Sequence, residues 1–210
     1  MATQAAAQAR RANSEGRMLK GRDLITVGIF SALYFVLNFA FMLIGGFHPL
    51  LWVLMPVLIA LFTGIPFMLM CAKVQKPGAV LIMGLITALI YFVTGTFTPF
   101  IIGLMAVACL VAELIRAATK YTSFKGNTVA FAVFGLGMCG SPLPIWVFRD
   151  SFFAQIASQG MSAEYISTLD AVTGTPMLFV MFIGTFIAGF AGAYLARGLF
   201  KKHFVKAGLV

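Results

Sequence analysis

Polar positions interrupt this chain rarely. They divide it into six apolar runs, at residues 24–44, 50–72, 77–93, 98–118, 126–150 and 176–199. Each run is near the ~20 residues that cross a bilayer core as a helix. The pattern predicts an all-α, polytopic membrane protein built as a bundle of six transmembrane helices.

Two runs carry internal breaks. The second holds Pro56 and Pro66, and its Thr63-Gly64-Ile65-Pro66 step predicts a split into two shorter helices. The third opens with Pro77 at a first helical position. The fifth starts well but meets Cys139-Gly140-Ser141-Pro142-Leu143-Pro144, then Trp146, Arg149 and Asp150. Two prolines spaced by one residue remove two backbone donors. They also bias Ser141 and Leu143 toward extended conformations. Carbonyls freed in this way cannot face lipid, so they must line a cavity or meet protein groups. A proline kink with an interfacial Trp and a solvated Arg–Asp pair would give the same pattern.

Charge placement sets the topology. The 210 residues are 61% hydrophobic and only 10% charged, with a formal net charge of +9. Soluble domains carry about a quarter charged residues. Of the 15 Lys and Arg, all except Arg149 fall on one side of the span pattern, in residues 1–22 or at 73–76, 116–125 and 197–206. The positive-inside rule then puts both termini in the cytoplasm and makes the span number even. Residues 1–22 read as a basic cytoplasmic tail, 23–202 as the six-helix domain and 203–210 as a second cytoplasmic tail. The first apolar run is too long for a cleaved signal. Basic residues placed between spans exclude a nucleic-acid-binding face. Cys71, Cys109 and Cys139 all lie in apolar segments without CxxC spacing, which predicts buried, inert thiols.

Candidate binding residues cluster at the outer membrane level. His48 and Trp52 start the second span, and Tyr91 and Thr94 end the third. Ser141, Trp146, Arg149 and Asp150 close the fifth. Aromatic belts place Trp and Tyr at that level without any ligand. Together with the proline break, they predict an outward-facing pocket, which requires Trp146 and Arg149 to face a void. Asn38, a buried amide in the first helix, would bond a neighbouring helix or a substrate. The loop at 149–175 is long enough to be a structured lid, with Ser162 capping a helix and Glu164 in its first turn. In the sixth span, Gly184, Ala188, Gly192 and Ala196 make a row beside Thr185, Gly189 and Ala193, which suits close helix packing.

Other chemistry is missing from the sequence. There is no GxxxxGK[ST] loop, no HExxH and no GxSxG elbow. The two histidines, His48 and His203, fall on opposite sides by the topology. These absences predict no enzyme, no metal and no cofactor. Glu113 is the one carboxylate well inside a span, one turn from Arg116. It is either locally paired or a coupling site.

The run Arg22-Asp23-Leu24-Ile25-Thr26-Val27-Gly28 into Phe30-Ser31-Ala32-Leu33-Tyr34-Phe35 resembles the Trep_Strep family, also called the MptD family, over roughly residues 20–202. That family is grouped with the S components of energy-coupling factor (ECF) transporters. The resemblance implies a subunit of a bacterial plasma membrane that binds a micronutrient, often a vitamin, from outside. It implies assembly with a transmembrane T component and two ATPases, whose ATP hydrolysis drives toppling of the S component and release inside. Gly28 and Ala32 would meet the T component, although the usual pattern has alanines there. A stand-alone proton- or ion-coupled carrier is the alternative, with Glu113 as its coupling site. A third reading, a structural or assembly protein, predicts no pocket.

Overall fold

The computed structural model describes residues 18–93 and 99–200. Thr94 and His203 lie outside the described residues. Every regular element among them is helical. In chain order these are α1 Gly21–Gly45, α2 Pro49–Val53, α3 Met55–Phe62, α4 Gly64–Lys73, α5 Ala79–Val93 and α6 Pro99–Ala118. There follow α7 Phe124–Gly135, a 3-10 turn at Leu136–Gly140, α8 Pro144–Val147, α9 Arg149–Ser158, α10 Ala163–Val172 and α11 Thr175–Leu199.

Three of these, α1, α6 and α11, are long and apolar enough to cross a membrane, and α3 with α4 makes a fourth if the bent pair is one span. The second run breaks where its sequence predicted. Thr63 sits at φ −78°, ψ −2° between α3 and α4, whose axes differ by 41°. Pro66 has no N–H to continue the ladder, and the Thr63 hydroxyl donates back to the Ile59 carbonyl at 2.8 Å.

Two expectations need correcting. Helix α5 begins at Ala79, so Pro77 precedes it; Gly78 at φ +91° makes the turn instead. Ser141 and Leu143 are both right-handed helical, at φ −68°, ψ −54° and φ −54°, ψ −35°. The chain avoids the extended form by tightening to i→i+3 bonds, Ser141 N to Met138 O at 3.1 Å and Ile145 N to Pro142 O at 3.1 Å. In that register the prolines' missing N–H groups interrupt a turn ladder and not an α-helical one.

The long elements form a closed ring. Helix α1 packs on α5, α5 on α6, α6 on α7, α7 on α11, and α11 on α3 and α4, which return to α1. Phe67, Phe131 and Phe134 fill the middle, with Phe67 4.9 Å and 5.1 Å from the other two rings. Small residues set the closest approaches. A methyl on Gly189 would land 2.6 Å from Ala132 Cα, and one on Gly64 2.5 Å from the Gly192 carbonyl carbon. Both small-residue rows of α11 are thus used within the chain, on α3, α4 and α7. The 3-10 turn lies against α6 for the same reason: a methyl on Gly140 would meet the Phe100 carbonyl oxygen at 2.6 Å.

Charged groups gather at the end where α1 and α5 begin. Lys76 pairs with Asp23 at 2.6 Å. Glu113 accepts the backbone N–H groups of Gly78 at 2.7 Å and Val80 at 3.2 Å, so it caps the start of α5 from α6. Arg116, wholly buried, donates to Asn127 Oδ1 at 3.1 Å and the Val74 carbonyl at 2.9 Å. Its Nη1 is 4.0 Å from Glu113 Oε2.

Candidate functional site

The opposite end, where α1 finishes, holds a cavity of about 470 Å³. Its floor comes from the bundle: Met42 and Gly46 at the end of α1, Tyr91 near the end of α5, and Ile101 near the start of α6. Ser141 and Pro144 contribute from the broken fifth run, and Trp52 from α2. The break therefore places its turn on a cavity wall.

The roof is the helical hairpin α9–α10. The Ser162 side chain accepts the Tyr165 N–H at 3.2 Å and caps α10, and Gly160 at φ +87° turns the chain between the two helices. Phe152, Gln155, Ile156 and Gln159 all line the cavity. They recur at i, i+3, i+4 and i+7, one face of a helix. Met161, Tyr165 and Leu169 add the α10 side. Phe152 also lies 5.9 Å from the Trp52 ring, joining roof to wall. Partial burial pushes the Tyr165 phenol above its ordinary range.

The nine residues singled out from sequence divide. Trp52, Tyr91 and Ser141 line the cavity together. Asn38 lies beneath it, fully buried, its Oδ1 accepting the Tyr91 hydroxyl at 2.8 Å. Thr94 lies outside the described residues. His48 is exposed and caps α2, its Nδ1 accepting the Leu50 N–H at 3.1 Å. Asp150 is an exposed residue in the first turn of α9, where a negative charge suits the helix dipole.

Trp146 and Arg149 do not line the cavity; they hold its roof. The Trp146 indole donates to the Gly174 carbonyl at 3.2 Å. Arg149 forks onto Asp170 Oδ1, at 3.1 Å from Nε and 2.6 Å from Nη2, and reaches the Thr173 carbonyl at 3.0 Å. Its guanidinium also lies 5.3 Å from the Phe153 ring centre. The expected void is present, but it is bounded by the hairpin these two residues anchor. Gln155, Gln159 and Tyr165 were missed by the sequence reading. The available signal was the helical spacing of Phe152 and Ile156, which puts both glutamines on their face.

A second, apolar groove of about 480 Å³ runs between α1 and α4 past Phe30, Leu37, Pro66 and Leu69. Only Lys73 gives it a charged group, and it has no set of converging hydrogen-bonding side chains. Among the described residues no group of His, Cys, Asp and Glu could hold a metal. Cys71, Cys109 and Cys139 are free and buried.

A family described as hypothetical bacterial integral membrane protein (Trep_Strep) matches residues 21–206. No curated protein and no solved structure matches the chain.

Proposed function

The chain belongs to this Trep_Strep family of bacterial integral membrane proteins, and on that footing we propose that it is a substrate-binding membrane subunit, an S component, of an ECF-type importer. It captures a small micronutrient from outside and carries it inward when coupled to a T component and two ATPases. The reading includes six spans with both termini cytoplasmic. In it α5, 15 residues long, supplies one further span. Helix α7 and the 3-10 turn, 12 and 5 residues, supply the other. Together those two rise roughly 28 Å, close to the thickness of a bilayer core.

The observation that carries the proposal is the roofed cavity at the end away from the cationic loops. A wall made by helix ends, closed by a hairpin with no covalent machinery facing it, suits capture and release. The first helix adds support. Ala32 is exposed, and nothing lies within 4 Å of a methyl built on Gly28. That face is open to a partner helix, whereas Val27, Ser31 and Tyr34 face the core.

Co-expression with a T component and two ATPases tests the reading. Gly28→Leu and Ala32→Leu are expected to abolish co-purification while leaving the monomer's fold and cavity intact. Retention of the full complex by both variants would overturn it. The alternative of an ion-coupled carrier loses support from Glu113, whose two oxygens are taken by backbone N–H groups.

A further inference from the structure

We propose that the ligand of the cavity is an uncharged, planar-ring molecule bearing hydrogen-bonding groups, and that carboxylates, phosphates and ammonium ions are excluded. The inference rests on the cavity being the ligand site. Among the described residues that line it there is no Asp, Glu, Lys, Arg or His. Residues 94–98 are Thr-Gly-Thr-Phe-Thr and carry no charge. The nearest cation in the roof, Arg149, is engaged by Asp170 and by the Thr173 and Asp170 carbonyls. An ion entering such a site gives up part of its hydration and finds no counter-charge among the lining side chains, which disfavours it against a neutral ligand of the same shape.

The wall offers a different complement. Trp52, Phe152, Tyr91 and Tyr165 present rings, and rings pack in stacked or edge-on pairs with other rings. Ser141, Gln155 and Gln159 bring donors and acceptors that are electrically neutral. Such a site reads a ring's amide, carbonyl or amino edges through hydrogen bonds to these neutral side chains. The volume of about 470 Å³ suits a ligand of vitamin or nucleoside size.

The test uses matched probes that differ in charge, on the full-length protein in detergent. These are nicotinamide against nicotinate, adenosine against adenosine monophosphate, and riboflavin against riboflavin phosphate. The melting temperature is expected to rise with at least one neutral member and not with its charged partner. Gln155→Ala, an exposed change that leaves the fold unaltered, is expected to weaken that binding about tenfold. An equal or larger shift from a charged partner, or no shift from any neutral member, overturns the proposal. Assembly with the ATPase module is measured separately, so the ligand class can fall while the S-component reading stands.

Discussion

Tyr91 donates its phenol proton to Asn38 Oδ1 at 2.8 Å while its ring forms part of the cavity floor. The pair therefore ties α1 to α5 directly beneath the site. Tyr91→Phe keeps the ring and leaves the buried Asn38 oxygen without this donor. We expect a loss of about 1–3 kcal/mol in stability, read by thermal unfolding in detergent. A double-mutant cycle with Asn38→Leu should give a coupling of about 0.5–3 kcal/mol; strict additivity would show that the pair contributes nothing.

The Arg149–Asp170 fork makes a different prediction, because both side chains are partly exposed, at 37% and 58%. Exposed ion pairs contribute about 1 kcal/mol or less to global stability. Arg149→Ala should thus leave the melting temperature nearly unchanged. It should instead raise amide hydrogen exchange across residues 149–173 and not in α11. Arg149→Lys should restore only part of the protection, since an ammonium cannot make the planar two-nitrogen contact. Uniform exchange across hairpin and bundle would show that the fork does not hold the roof.

Much of this architecture was written in periodicity and in breakers. The apolar runs located α1, α6 and α11, and the Thr63-Gly64-Ile65-Pro66 step located the bend at Thr63. Ser162 signalled the start of α10 through its capping chemistry. The site was less legible. Trp146 and Arg149 carry the residue types of a binding site, but their partners, Gly174 and Asp170, lie more than twenty residues along the chain. Composition at one position cannot show such a pairing. The conformation of Ser141 and Leu143 was hidden for a related reason. A local proline preference yields when close packing of the glycine-rich 3-10 turn on α6 fixes the path.

Glycines in α11 offer a contrast within one helix. A methyl on Gly192 would collide with the Ala60 and Leu61 carbonyl oxygens, whereas nothing lies within 4 Å of one on Gly198. Backbone cannot swing aside as a side chain can. Gly192→Ala should cost about 1–3 kcal/mol or more through overpacking. Gly198→Ala should be neutral or stabilising by up to about 1 kcal/mol, from helix propensity. Equal melting temperatures for the two variants would contradict the packing of α11 on α3.

Glu113 is the residue on which the carrier alternative depends, and its environment predicts a structural phenotype. Its carboxylate accepts two backbone N–H groups at the start of α5 and lies 4.0 Å from the buried Arg116. Glu113→Gln removes the negative charge but leaves the Arg116 guanidinium in place, with Asn127 and the Val74 carbonyl as neutral partners. Stranding one member of a buried ion pair costs on the order of 3–5 kcal/mol, so the variant should melt well below the parent. Arg116→Met in the same chain removes the stranded charge, and the double variant should recover part of the loss. Transport per folded molecule should persist in Glu113→Gln with an unchanged pH profile. Abolished uptake in a variant shown to be folded would instead make this carboxylate a proton site and favour the carrier.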